Sequence, residues 1–355
     1  MSRVKVIDTS KHSSGTQAVV NKLNARIVNQ GDAVVAMTNL LDKFESGFYD
    51  RNRPVGSLLF LGPTGSGKTL AVEELVIALT GDSKRMLKVD CSEFQHSHEI
   101  ARLIGSPPGY LGHRETHPFF TNDSVRQARS MPDSKNAAMQ TVYGKEIIPF
   151  TVILFDEIEK ASDSLWNLLL GILDKGSLTT GTNENVDMRK TVIIMTSNVG
   201  SKELADKVGD GVLGFLNPAA DSAVGAEELK SVAVGAARRK FSPEFLNRLD
   251  EIVMFNTLTR TDLEAILEIE LLKLQEKVEL SMAVVTLVPS PAAKRQMLEE
   301  GFDKKYNARS LRRVVEKRIM LPVSRAIASR QAEALDKVII DYADSKWSYI
   351  VEKTY

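Results

Sequence analysis

Ser57-Leu-Leu-Phe-Leu61 runs straight into Gly62-Pro63-Thr64-Gly65-Ser66-Gly67-Lys68-Thr69, and a helix-like stretch from Leu70 to Leu79 follows, closed by Gly81. A short apolar run that ends in a glycine-rich turn reads as a buried strand. The turn matches G-x-x-x-x-G-K-[ST], and its place between a strand and a helix is the context this motif requires. Its glycines let backbone N–H groups turn inward around phosphate oxygens. The helix starting at Lys68 adds the positive end of its dipole. Lys68 is placed to reach the β and γ phosphates of a nucleotide, and the Thr69 hydroxyl to ligate Mg2+. A nucleotide phosphate with Mg2+ is therefore the expected ligand of residues Gly62 to Thr69.

Similar apolar runs lie further along the chain: Met86-Leu-Lys-Val89, Thr151-Val-Ile-Leu-Phe155, Thr191-Val-Ile-Ile-Met195 and Glu251-Ile-Val-Met-Phe255, with helical stretches such as Ser164 to Leu173 between them. Buried strands alternating with helices predict an α/β fold with a mostly parallel sheet covered on both faces. The run from Thr151 ends in Asp156-Glu157, which puts two carboxylates at the carboxyl edge of the sheet, where open α/β sheets bind ligands. Asp156 is expected to hold the Mg2+ water shell and Glu157 to orient and polarise the attacking water. Acids are also favoured at helix N-termini with no catalytic role. The run from Thr191 ends in Thr196-Ser197-Asn198, and Asn198 can hydrogen-bond the γ phosphate or the lytic water, although asparagine is equally at home in a plain turn.

The length of 355 residues suggests about two domains. Hydrophobic residues at 43% and charged residues at 26% exclude a wholly disordered chain. Lys+Arg and Asp+Glu are both 46, so no bulk charge grips nucleic acid. The one cysteine, Cys91, excludes an internal disulfide and a cysteine zinc cage. No apolar run approaches the roughly 18 residues of a membrane span. The start, Met1-Ser-Arg-Val-Lys-Val-Ile-Asp8, lacks the apolar stretch of a secretory signal, so a cytoplasmic chain is expected. Residues 1–21 read as a flexible N-terminal arm. Residues 22–255 read as the large domain, helical from about Asn21 to Gly47 and carrying a polar insertion at about 130–147. Residues 256–355 read as a smaller, mainly helical domain, with amphipathic stretches at Asp262–Leu280 and Arg309–Ala328 and strand-like pieces at Val338–Ile340 and Trp347–Val351.

The phosphate loop, acid pair and polar sensor in this order, followed by a helical domain, resemble an AAA+ P-loop ATPase. Asp90-Cys-Ser-Glu93, Arg102-Leu-Ile-Gly-Ser-Pro-Pro-Gly-Tyr-Leu-Gly112, Leu154-Phe-Asp-Glu-Ile-Glu-Lys160, Thr196-Ser-Asn-Val-Gly200 and Phe241-Ser-Pro-Glu-Phe-Leu-Asn-Arg-Leu-Asp250 resemble the second, C-terminal ATPase module of Clp-type unfoldases, from about residue 22 to the end. The resemblance implies an ATP-dependent unfoldase or remodeller that hydrolyses ATP in a ring, usually of six, and threads polypeptide through a central pore, chaperone-like or feeding a peptidase. Arg248 sits where the family has its arginine finger, acting on the nucleotide of the next subunit. A trans arginine is worth on the order of 10³–10⁵ in rate, so a lone subunit is expected to be nearly inactive. Arg309 matches the family's second sensor, with Asn307 in place of the usual glycine, a substitution that a left-handed turn tolerates. Ile27 and Val28 correspond to the segment that packs adenine, and Asn29 again stands where the family has glycine.

Tyr110, with Leu111 beside it and glycines flanking the pair, matches the pore-loop aromatic, a large ring able to wedge against an extended chain of any sequence. Leu213-Gly214-Phe215 lies where peptidase-coupled relatives carry their docking tripeptide. A protein client and an adaptor are the further partners implied. Two departures bear on substrate handling: His113-Arg-Glu-Thr-His-Pro118 replaces the family's acidic and glycine residues, and the 130–147 stretch is longer than usual. They leave open an ATP-controlled assembly switch or scaffold that remodels a partner without threading it. A nucleic-acid remodelling ATPase is opposed by the zero net charge.

Overall fold

The computed structural model describes residues 7–106, 117–129, 150–201, 223–279, 284–301 and 308–353. The described residues fall into two compact units: the larger one runs up to Phe255 apart from short stretches such as Pro63–Gly67, which group with the smaller one, whose main part begins at Asn256.

The larger unit holds strands β1 (Gly56–Leu61), β2 (Leu87–Asp90), β3 (Thr151–Asp156), β4 (Ser177–Thr179), β5 (Asn185–Asp187), β6 (Thr191–Ser197) and β7 (Glu251–Met254). Five of them form one sheet in the order β2-β3-β6-β1-β7, and every neighbouring pair is parallel. Successive residues of a strand face opposite sides. Leu58, Phe60, Val152, Leu154, Val192 and Ile194 accordingly enter one core, with residues of the helices Gly31–Ser46 and Lys68–Thr80. Leu59, Leu61, Ile153, Phe155, Ile193 and Met195 enter the other, with the helix Asp163–Lys175, Phe241 and Phe245. Apolar residues are needed at both parities because both faces are covered, which is why these strands read as unbroken apolar runs. Each such side chain contributes roughly 1.5–3 kcal/mol by leaving water. The short strands β4 and β5 pair antiparallel in a separate ribbon.

The N-terminal region departs from the expectation of a flexible arm. Ser14–Asn24 is a helix whose N-cap Ser13 accepts a hydrogen bond from the Thr16 amide at 3.1 Å. Thr16, Val19 and Leu23 are buried, and His12 Nδ1 lies 2.6 Å from Asp42 Oδ2. Few apolar residues mark this helix in the sequence, but Val19 and Leu23 enter the core that the helix Gly31–Ser46 also lines. The single helical region expected from Asn21 to Gly47 is two helices, parted near Asn29, which takes φ +57°. Asparagine tolerates the left-handed region better than other side chains, so it can stand in for the glycine common at that place in the resembling family.

The smaller unit packs the helices Arg260–Glu279, Pro291–Gly301, Ala308–Val315 and Leu321–Ala328 around Leu263, Leu267, Leu271, Leu274, Met297, Leu311 and Ile319. The first four of these recur at intervals of four, four and three, the spacing of one helix face. Strands β8 (Thr286–Pro289), β9 (Lys337–Ala343) and β10 (Lys346–Glu352) form a sheet in the order β10-β9-β8. The continuous helix expected from Arg309 to Ala328 is interrupted by a π-helical stretch, Glu316–Met320. Pro322 has no N–H to give to the carbonyl four residues earlier. That carbonyl, on Arg318, instead accepts from Tyr349 Oη at 2.9 Å. Among the described residues no helix is long and apolar enough to cross a membrane.

Candidate functional site

The carboxyl ends of β1, β3 and β6 are adjacent, and each delivers part of the cradle. β1 leads into Gly62, whose φ is +151°. A Cβ there would stand 2.8 Å from both Cβ and O of Phe255, so the first motif glycine is required by close backbone approach as well as by conformation. Gly65 and Gly67 also take positive φ, +78° and +99°. At Gly67 a Cβ would meet nothing, so only the backbone angle demands glycine.

Lys68 is buried, and its Nζ donates to Gly62 O at 2.8 Å and Asn198 Oδ1 at 3.0 Å. Its charge is thereby held inside the loop and joined to the end of β6. Thr69 Oγ1 donates to the Asp156 carboxylate, 3.1 and 3.2 Å from its two oxygens. Hydroxyl and carboxylate oxygens are the hard donors that Mg2+ prefers, so the two side chains fit that ion. The structure thus brings together Lys68, Thr69, Asp156, Glu157 and Asn198.

Glu157 takes φ +56°, an uncommon conformation for a side chain of this size. Its amide donates to Thr196 Oγ1 at 3.1 Å, and the same hydroxyl donates to Asp156 Oδ1. Thr196 therefore couples both acids of β3 to β6. Its importance was visible in the sequence only as a polar residue ending an apolar run. Lys160 Nζ donates to Glu157 Oε2, and that hydrogen bond pushes the ammonium pKa up. Glu159 Oε1 accepts from the Asn198 amide at 3.2 Å. Lys88 Nζ lies 3.5 Å from Asp156 Oδ2. Thr196, Lys160, Glu159 and Lys88 were not singled out by sequence. Cys91 sits wholly buried just beyond β2. Burial, followed by the nearby negative charge of Asp156, pushes its thiol pKa far up. It stays protonated and is no nucleophile.

Arg248 is not brought to this cradle. It precedes β7, at the amino end of the sheet, where Ser57 Oγ donates to its carbonyl at 3.2 Å. Ser57 and Gly62 are five residues apart along β1, roughly 16 Å in an extended strand. Arg248 Nε donates to Asp174 Oδ1 at 2.6 Å, and its Nη2 lies 3.0 Å from Glu244 Oε1. The hydrogen bond that Arg248 donates to Asp174, aided by the charge of that carboxylate, raises the guanidinium pKa further. Asp250 accepts from Ser57 N at 2.8 Å and Ser57 Oγ at 2.9 Å.

Ile27 and Val28 are half-buried, and Ile27 packs on the core beneath Gly31–Ser46. Arg309 is exposed in the first turn of Ala308–Val315, in the smaller unit. Tyr110, Leu111, Leu213-Gly214-Phe215 and the 130–147 stretch lie outside the described residues.

A glycine-rich loop between strand and helix, with acids and an asparagine at adjoining strand ends, defines a P-loop nucleotide-binding α/β domain. A family model described as AAA domain (Cdc48 subfamily) matches residues 53–131 and 134–252, and the chain belongs to that family. A model of the C-terminal, D2-small domain of ClpB protein matches residues 258–340. The chain is 38% identical over 307 residues to the chaperone protein ClpB of Meiothermus ruber, covering 86% of this chain and 32% of that one. It is 36% identical over 333 residues to the ATP-dependent Clp protease ATP-binding subunit ClpC of Staphylococcus aureus (strain USA300), covering 94% of this chain and 37% of that one. A closed-state cryo-EM reconstruction of Hsp104 with ATPγS and FITC casein superposes with a TM-score of 0.73 at 27% identity, covering 95% of this chain and 51% of that one. The chain thus spans about a third of the length of these curated relatives. The expected Clp-type second ATPase module, with its parallel-sheet domain followed by a small domain, is borne out.

Proposed function

We propose that this chain binds ATP in the loop Gly62–Thr69, hydrolyses it at the junction between neighbouring copies in a ring, and uses the cycle to unfold or remodel protein clients by threading them. The observation that carries this reading is the division of labour across one sheet. Phosphate ligands converge at the carboxyl ends of β1, β3 and β6, while Arg248 stands near the amino ends of β1 and β7. A cation at that end cannot serve its own cradle, and it suits the nucleotide of the next subunit.

In this reading Lys68 binds the β and γ phosphates, and the backbone from Pro63 to Gly67 surrounds them. Thr69 and Asp156 would hold Mg2+, which when bound neutralises charge on those phosphates. Glu157 orients the attacking water and accepts its proton. Asn198 holds the water or the γ phosphate, and Arg309 serves as a second sensor of that phosphate. Ile27 and Val28 pack against adenine. Arg248, supplied in trans, stabilises the negative charge that develops during transfer.

A hexamer, a cytoplasmic setting and recruitment through an adaptor belong to the same proposal. Relatives named as a chaperone, as a subunit of a Clp protease, and as Hsp104 solved with casein support a polypeptide client. The ClpC relative's name also supports a peptidase docking at Leu213-Gly214-Phe215. The test of threading is Tyr110→Ala. Loss of unfolding of a tagged fluorescent protein, with ATP turnover measured alongside, is the expected outcome. Unchanged unfolding removes the threading model and favours a non-threading assembly switch.

A further inference from the structure

The guanidinium of Arg248 is held on three sides within the larger unit. Nε donates to Asp174 Oδ1 at 2.6 Å, Nη1 donates to Glu244 O at 2.9 Å, and Nη2 lies 3.0 Å from Glu244 Oε1. Three of the five N–H donors of an arginine are used in this way. Each terminal nitrogen keeps one more hydrogen, a pair matched to two phosphate oxygens. The backbone is held too. The Arg248 amide donates to Phe245 O at 3.0 Å, and its carbonyl accepts from Ser57 Oγ at 3.2 Å and Arg53 Nη2 at 3.5 Å.

The elements that carry these groups are locked to one another. Asp174 stands in the last turn of Asp163–Lys175, and Arg53 Nε donates to the neighbouring carbonyl of Leu173 at 2.9 Å. Trp166 of that helix meets Phe245, in the short helix before Arg248, edge to face at 4.7 Å between ring centroids. An acid in a helix's last turn opposes the helix dipole. Asp174 occupies that unfavourable place, and the cation it meets there is Arg248. Arg248 is half-buried, and it lines a cleft of about 280 Å3 together with Phe48, Tyr49 and Lys43.

We infer that Asp174, with Glu244, is a positioning residue for Arg248. The two acids fix the guanidinium before a neighbouring subunit arrives, so that its remaining N–H groups meet the transferring phosphate without reordering. The inference rests on the trans role of Arg248 given above. A long side chain of this kind carries substantial rotamer freedom, and an arrangement made in advance spares that loss in the transition state.

The test compares Asp174→Ala, Asp174→Asn and Arg248→Ala in the full chain, alone and combined. Asp174→Ala is expected to lower kcat for ATP about 10–100-fold, the scale of a misplaced catalytic group. Binding of a fluorescent ATP analogue to the same subunit is expected to be unchanged, because the cradle lies at the other end of the sheet. Asp174→Asn keeps one acceptor without the charge and is expected to lie between Ala and wild type. It also carries the test should the alanine variant fold poorly. Combined with Arg248→Ala, neither Asp174 substitution should reduce kcat further. An equal extra loss in the Arg248→Ala background makes Asp174 merely structural and overturns the inference. A faster Asp174→Ala enzyme makes the carboxylate a brake and also overturns it. If Arg248→Ala itself turns over normally, it is the role of Arg248 that fails.

Discussion

The two ends of strand β1 carry opposite chemistry. At the carboxyl end, Gly62 opens a loop built to receive negative charge, with the Lys68 ammonium drawn into it. At the amino end, Ser57 fastens the carbonyl of Arg248, a cation held by Asp174 and Glu244. The first end is closed on itself: Lys68 is bonded to Asn198, and Thr69 and Thr196 are both bonded to Asp156. The second end is preset but has no phosphate of its own. The contrast teaches that a parallel sheet, all of whose strands point one way, separates acceptor from donor by the length of a strand. Under the trans role proposed for Arg248, a second copy brings them together.

Arg248→Ala attacks the contrast most directly and carries the largest expected effect. ATP turnover should fall on the order of 10³–10⁵-fold, while nucleotide affinity in the same subunit stays. Titrating this variant into wild-type protein should depress turnover more steeply than its share of the mixture. A strictly proportional loss would place the arginine in cis or outside the chemistry. Glu157→Gln attacks the other end. It should cost about 10²–10⁴ in turnover, the usual worth of a general base, with ATP still bound in equilibrium measurements. Turnover near wild type would pass the role of base to another group. Asp250→Ala is a stability probe of the amino end. It leaves the buried Ser57 amide without its carboxylate acceptor and should cost about 1–3 kcal/mol in denaturant unfolding. A negligible change would show that the Ser57–Asp250 contact does not hold Arg248's turn in place.

The carboxyl end was legible in sequence because its parts are local. Five apolar runs and one loop of eight residues mark the strands, the sheet edge and the cradle. Asp156, Glu157 and Asn198 could be placed because each ends such a run. The contacts that finish the site could not be read. Thr196 reaches Glu157 across 39 positions and Asp174 reaches Arg248 across 74, so no periodicity joins them. One local trace of Asp174 did exist, an acid at the wrong end of a helix. The N-terminal helix is not legible in sequence because its buried Val19 and Leu23 stand among polar residues. Strand β8 was missed because four residues ending in Pro289, only partly buried, carry little pattern.

The sealed position of Cys91 has a practical consequence for watching this molecule move. A protonated thiol with no exposed surface reacts poorly with maleimides. A cysteine introduced on an exposed helix would then take a fluorophore selectively while the native residue is left in place. Optical distances would follow without first replacing a side chain buried within reach of the charge of Asp156.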